Sequence, residues 1–139
     1  MNKTDLEMVA WFKAELRSYY HDEPRMIYLQ KKLKKLESRF EAHSPNLTDV
    51  RSGTVSRDER LSEYVTEKDS IEKELSVIIQ KRKVVESIIS RIDDEFITPI
   101  RMIYSGKQNI SYYAYKAHRS VRGYKHHINL AILRALKDN

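Results

Sequence analysis

Residues 109–136 read NISYYAYKAHRSVRGYKHHINLAILRAL, and this stretch decides the predicted fold of the C-terminal third. Its pattern predicts two helices, 109–117 and 121–136, joined by His118-Arg119-Ser120, a link with the length of the turn in a helix-turn-helix. Apolar residues in the second helix recur at spacings of three and four, so they are expected to form one buried face. Those residues are Val121, Tyr124, Ile128, Ala131, Ile132, Ala135 and Leu136.

The opposite face of the second helix carries nitrogen-rich side chains, namely Arg122, Lys125, His126 and Asn129. Such side chains donate hydrogen bonds to phosphates and to the edges of guanine and adenine in the major groove of DNA. We therefore predict that this face reads base pairs in duplex DNA. Arg122 is expected to prefer guanine, and Asn129 is expected to prefer adenine.

Residues just before this helix, and one inside its first turn, complete the predicted DNA-binding surface. Ser120 is in position to cap the helix with its hydroxyl oxygen. We predict that Ser120, Arg119 and Lys116 contact phosphate groups, and that the hydroxyl of Tyr112 donates to another. Gly123 is expected to let the helix approach DNA closely, because a glycine otherwise costs a helix about 1 kcal/mol relative to alanine.

From about Met26 onward the sequence resembles the phage-encoded late-gene transcription activators of Gram-positive bacteria, the RinA/ArpU type. Their C-terminal module resembles region 4 of bacterial sigma factors. The resemblance implies a helix-turn-helix that binds promoter DNA and helps host RNA polymerase to transcribe late phage genes. It rests on a gapless register over 109–132 that is carried by Asn109, Ile110, Tyr113, Ala114, Ala117, Ser120, Tyr124, Ala131 and Ile132.

The excess positive charge of the chain lies in its C-terminal third. Residues 97–139 hold eight Lys and Arg against one acid, whereas residues 1–96 hold eighteen against nineteen, and the whole chain carries +6. A near-neutral body with a basic end is typical of a localised nucleic-acid footprint. The alternative is a solvated basic face that only keeps the protein soluble, and the helix-turn-helix pattern beside it makes this alternative less favoured.

The rest of the chain is also predicted to be helical, which makes the fold class all-α. Pro24 is expected at the first position of one helix, and Pro99 at the start of another with Thr98 as its cap. The predicted domains are a helical, coiled-coil region over 1–97 and a three-helix, sigma region 4-like domain over 98–139. The predicted elements before residue 109 are helices over 5–20, 24–42, 56–97 and 99–104, with a loop over 43–57.

Heptad spacing in the long helix predicts a coiled coil. Nine of its eleven seam positions between Leu61 and Phe96 are apolar, and Lys68 and Arg82 interrupt them. Polar residues in a seam tend to fix register or oligomeric state. The shorter helices either fold back along the seam or leave part of it for a second chain. We expect a homodimer, because an uncovered apolar seam is an association surface.

Motifs that would indicate an enzyme or a metal site are not found in the sequence. It has no Gly-rich phosphate loop, no compact carboxylate pair and no cysteine. His118, His126 and His127 have no nearby ligand that would complete a tetrahedral metal site, and His118 and His127 are predicted at turn and rim positions. We therefore expect no catalysis, no cofactor and no small-molecule substrate.

The predicted partners are duplex promoter DNA, host RNA polymerase and a second copy of the chain. No run of about 18 apolar residues is present, so we expect no membrane insertion and a location in the cytoplasm of the bacterial host. The function favoured by the sequence is that of a sequence-specific transcription activator. The alternative, from a different class, is a helical scaffold or packaging adaptor that holds nucleic acid without reading its sequence.

Overall fold

A computed structural model describes residues 1–43 and 54–138, with side chains described for 1–41 and 59–138. Within these residues the chain consists of helices joined by turns, so the predicted all-α class is confirmed. No helix in the described part of the chain is both long enough and apolar enough to cross a membrane. The helices are α1 (Lys3–His43), α2 (Thr54–Ile89), α3 (Asp94–Tyr104), α4 (Ile110–Lys116) and α5 (Val121–Lys137).

The helices divide into two compact units, and the division differs from the boundary predicted after residue 97. The first unit combines Met1–His21 with Lys81–Asn139, and the second unit is Asp22–Gln80. The first residues of α1 belong to the same unit as the C-terminal helices, because Phe12 is buried in the same apolar core as Ile132. The predicted DNA-binding helices are therefore part of a larger unit than sequence reasoning assigned to them.

Helix α1 is continuous, whereas the sequence predicted two helices broken before Pro24. It begins at Lys3, where Asn2 Oδ1 accepts a hydrogen bond of 2.8 Å from the Asp5 amide, and Pro24 lies inside it. A proline inside a helix costs about 3 kcal/mol, because it cannot donate a backbone hydrogen bond. Packing on both sides offsets that cost, since Leu16 is buried in the first unit and Leu29 in the second.

The end of α2 and the start of α3 also differ from the prediction. Helix α2 ends at Ile89, and the amides of Arg91 and Ile92 beyond it bond to the carbonyls three residues earlier at 3.0 Å, which tightens its last turn. Helix α3 then begins at Asp94, so Pro99 lies inside α3 and Thr98 does not cap it. Residues 44–53 of the predicted loop lie outside the described part of the chain.

In the second unit, α1 and α2 pack side by side in opposite directions. The antiparallel direction is given by their ion pairs, because Arg25 pairs with Glu74 at 3.0 Å and Lys32 with Glu67 at 3.8 Å. Lys68, which interrupts the predicted seam, reaches out to Glu37 at 3.8 Å. The apolar residues buried between the two helices are Leu29, Ile71, Leu75 and Ile78.

The first unit has one apolar core to which all five helices contribute. The seam of α2 continues here through buried residues, and α1 lies against it within the same chain. This part of the seam is therefore covered within the chain, and the homodimer stays a prediction. The buried core residues are Val9, Phe12, Leu16, Val85, Ile88, Ile89, Ile92, Phe96, Ile100, Ala114, Tyr124, Ile128, Ala131, Ile132, Leu133 and Ala135.

A polar network joins α1, α2 and α3 at the edge of this core. The Glu86 carboxylate accepts hydrogen bonds from the Tyr19 hydroxyl and from Arg101 Nη2, the latter at 3.0 Å. Arg82, the second polar residue of the predicted seam, donates to the Tyr19 carbonyl at 2.7 Å. Its guanidinium lies 3.7 Å from the centre of the Tyr19 ring. The polar seam residue thus connects α2 to α1 within the chain.

The charge on Glu86 is expected to stabilise the first unit in a pH-dependent way. The hydrogen bond from Arg101 holds the pKa of Glu86 below its ordinary value of 4.5. A lowered folded-state pKa stabilises the fold above the unfolded value, and this stabilisation is lost as the pH falls through the folded value. Because both side chains are more than a third exposed, we expect Glu86→Gln to cost only about 0.5–1 kcal/mol at pH 7.

Urea unfolding at pH 7 and pH 3 measures this contribution. The difference in unfolding free energy between Glu86→Gln and the unaltered protein should be smaller at pH 3 than at pH 7, because protonation of Glu86 removes the charge that Arg101 stabilises. The control is Glu63→Gln, which removes an exposed carboxylate of the same helix that makes no ion pair within the described residues. An equal difference in unfolding free energy at both pH values would show that the charge of Glu86 does not stabilise the fold.

Candidate nucleic-acid interface

Helix α5 begins at Val121 as the sequence predicted, and α4 begins at Ile110, one residue after its predicted start. Each helix has a side-chain cap. The side chain of Asn109 accepts a hydrogen bond from the Tyr112 amide at 3.0 Å. The Ser120 hydroxyl accepts one from the Gly123 amide, also at 3.0 Å, which confirms the predicted cap. An N-terminal cap of this kind stabilises a helix by about 1 kcal/mol. It fixes where α5 starts and therefore which residues its first turns expose.

The link between the two helices is held by a turn centred on His118. Its φ of 56° is in the left-handed region, which glycine usually occupies. The His118 amide bonds to the Tyr115 carbonyl at 3.1 Å, and the Arg119 amide bonds to the Ala114 carbonyl at 2.9 Å. This pair of bonds closes the end of α4. His118 is therefore a turn residue, as its predicted position indicated.

The predicted apolar face of α5 is largely confirmed. Tyr124 lies with its ring centre 6.0 Å from that of Phe96, and Leu136 packs partly buried against the core. Val121 differs from the prediction, because 43% of it is exposed at the start of the helix. The predicted members that are buried are Tyr124, Ile128, Ala131, Ile132 and Ala135.

The opposite face of α5 is exposed over its first turns but not along its whole length. Arg122, Lys125 and His126 are exposed, whereas Asn129 is half-buried. The Oδ1 atom of Asn129 is buried and has no hydrogen-bond partner among the described residues. An asparagine reads adenine through its oxygen and its nitrogen together. As placed, Asn129 cannot make that contact, so its predicted role is corrected and the accessible base-reading candidates are the other three.

The predicted phosphate-contacting residues lie close to this exposed part of α5. Lys116 and Tyr112 are together on α4, with the Lys116 ammonium 4.8 Å from the centre of the Tyr112 ring. A hydrogen bond to Tyr112 holds the pKa of Lys116 above its ordinary value. Arg119 and Ser120 are exposed in the link between the helices. All four side chains are therefore accessible to a partner.

The basic residues of the C-terminal third differ in whether they have an acidic partner. Arg101 pairs with Glu86 at 3.0 Å, Arg134 with Asp93 at 2.9 Å, and Lys137 with Asp5 at 3.0 Å. Arg134 and Lys137 lie in the last turn of α5, and Arg101 lies on α3. Among the described residues of this third, 97–138, the basic side chains without a carboxylate partner are Lys107, Lys116, Arg119, Arg122 and Lys125.

The packing around Gly123 gives a local reason for a glycine in the first turn of α5. A Cβ atom at this position would lie 3.1 Å from the Ser120 hydroxyl oxygen, which is closer than ordinary van der Waals contact. The same oxygen accepts the capping hydrogen bond from the Gly123 amide. A side chain here would therefore press on the cap. This contact accounts for the glycine without DNA, and the predicted close approach to DNA stays untested.

Sequence reasoning missed the basic side chains that α1 contributes beside α5. Lys13 is half-buried, and burial together with the charges of Lys125 and Arg17 lowers its pKa. Arg17 is exposed, and its guanidinium lies 5.6 Å from the centre of the Tyr104 ring. The spacing of four places Lys13 and Arg17 on one side of α1. No signal in the local sequence could link them to α5, which is more than a hundred residues later.

The histidines of α5 lie next to each other, with ring centres 6.0 Å apart for His126 and His127. His127 is half-buried at the rim of the helix, as predicted. No cluster of three or more potential metal ligands occurs among the residues that the structure describes.

Comparison of the chain with family models, with curated proteins and with solved structures finds no match.

Proposed function

We propose that the chain is a sequence-specific regulator of transcription that binds duplex DNA through α4, the link and α5, used as a helix-turn-helix. In this arrangement α5 is the recognition helix, and its N-terminal residues contact base edges in the major groove. Arg122, Lys125 and His126 face the bases. Tyr112, Lys116, Arg119 and Ser120 hold the phosphates on either side.

The observation that carries this proposal is the distribution of unpaired basic side chains. The basic residues of α3 and of the end of α5 have acidic partners, whereas Lys116, Arg119, Arg122 and Lys125 are exposed without one in the described chain. They cluster at the positive end of the α5 dipole, where an anion is bound most favourably. A solvated face that serves only solubility would not need this concentration at one helix end.

On the sequence resemblance alone, we propose that the regulator activates late phage genes together with host RNA polymerase. A footprint of the purified protein on the DNA of its own phage or host locus would locate the binding site and test this proposal. Sedimentation of the same sample would determine whether the predicted homodimer binds.

A second candidate function is a helical scaffold or packaging adaptor that holds nucleic acid without reading it. The buried Oδ1 of Asn129 favours this alternative, because it removes the side chain that was predicted to select adenine. The remaining exposed basic groups also bind phosphate without regard to sequence.

Competition between a footprinted fragment and random duplex DNA distinguishes the two functions. A regulator is expected to prefer its own site by a factor of about a thousand or more at physiological salt. A ratio near one would support the scaffold and overturn the regulator. Absence of any binding to duplex DNA would overturn both.

A further inference from the structure

Three basic side chains from two distant parts of the sequence meet at one edge of the first unit. The ion pair between Asp5 and Lys137 at 3.0 Å places the start of α1 beside the end of α5. Lys13 lies about 12 Å further along α1, and Lys125 about 18 Å back along α5. Phe12, the neighbour of Lys13, packs in the same apolar core as Tyr124, the neighbour of Lys125. The two ammonium groups are close enough for the charge of Lys125 to lower the pKa of Lys13.

The repulsion among these positive charges is unfavourable for the folded protein when no anion is bound. Burial, then the charge of Lys125, then that of Arg17 lower the pKa of Lys13, and no carboxylate opposes these effects. Within the described residues none of the three side chains has an acidic partner, although acids are paired with basic groups elsewhere in this unit. Three like charges held together by the fold are relieved when an anion binds between them.

We propose that Lys13 and Arg17 of α1 bind the phosphate backbone of duplex DNA beside the groove that Lys125 and the rest of α5 enter. This inference rests on the proposed function and extends it, because it makes the first residues of the chain part of the DNA-binding surface. The Tyr104 ring 5.6 Å from the Arg17 guanidinium holds that side chain at the edge of the unit. Two helices then contact the duplex along adjacent stretches of backbone.

The salt dependence of DNA binding tests the proposal. Each phosphate contact that is lost lowers the slope of log affinity against log salt by about 0.9, which corresponds to about eight-fold weaker binding at 0.1 M salt. We expect this change for Lys13→Gln and again for Arg17→Gln, on both the footprinted fragment and random duplex. The preference for the footprinted fragment over random DNA should stay the same, since phosphate contacts carry no sequence information.

The matched controls are the single variants Lys31→Gln and Lys35→Gln, each of which removes one exposed charge from the second unit's part of α1. An equal loss of slope in these controls would show that net charge alone is responsible and would overturn the proposal. Thermal unfolding followed by circular dichroism shows that the variants fold, and Arg17→Gln alters an exposed side chain only.

The outcomes separate this inference from the proposed function. If the unaltered protein binds duplex DNA and the Lys13 and Arg17 variants keep its slope, this inference is wrong and the proposed function stands. If the unaltered protein binds no duplex DNA, the proposed function is wrong, and this inference is overturned with it.

Discussion

Replacing Phe12 by alanine is expected to destabilise the first unit by about 3–5 kcal/mol. The Phe12 side chain is fully buried, in the same core as residues of α2, α3, α4 and α5. Its removal therefore takes away apolar burial and leaves a cavity that the surrounding helices can only partly fill. Because native domains are stable by only about 5–15 kcal/mol, this is a large share of the total.

Urea unfolding followed by circular dichroism measures the effect, and the neighbouring residue supplies the control. Trp11 is also aromatic but is 48% exposed, so Trp11→Ala should cost much less than Phe12→Ala. The comparison tests whether the first residues of the chain belong to the unit that carries the candidate interface. A loss below about 1 kcal/mol for Phe12→Ala would contradict the buried position, because truncation of a buried Phe costs several times more.

The parts of the fold that the sequence predicted well are those decided by local chemistry. Ser120 caps α5 because a serine hydroxyl can reach the amide three residues on, and this needs no information from elsewhere in the chain. The heptad seam was predicted equally well, because Ile71, Leu75 and Ile78 recur at helical spacing. All three are buried. Periodicity shows which face of a helix is covered.

Periodicity does not show what covers that face, and the remaining errors follow from this. The helix over 5–20 was predicted, but the core that it joins in the first unit includes α5, more than a hundred residues later. The same limit affected Asn129, whose place on the polar face was right but whose Oδ1 is buried. Pro24 and Pro99 were predicted to start helices, because a proline inside a helix is destabilising. Both nevertheless lie inside helices.

Replacing Arg122 by alanine is expected to weaken binding to the footprinted site by about 1–3 kcal/mol, which is a factor of about 5–150. Arg122 is exposed in the first turn of α5 and has no acidic partner in the described chain, so its guanidinium is free to bond to two guanine atoms. The loss should be much smaller on random duplex DNA. Binding to a set of single-base variants of the site should show relaxed preference at one position.

Arg134→Ala is the matched control for this prediction. It removes the same type of side chain from the same helix, but Arg134 donates to Asp93 Oδ2 at 2.9 Å and lies in the last turn of α5. It should leave affinity for both kinds of DNA unchanged. If Arg122→Ala weakens binding equally on every sequence, Arg122 contacts phosphate and the reading of bases falls to Lys125 and His126. If it changes neither affinity, the start of α5 does not lie in the groove, and the recognition-helix proposal is wrong.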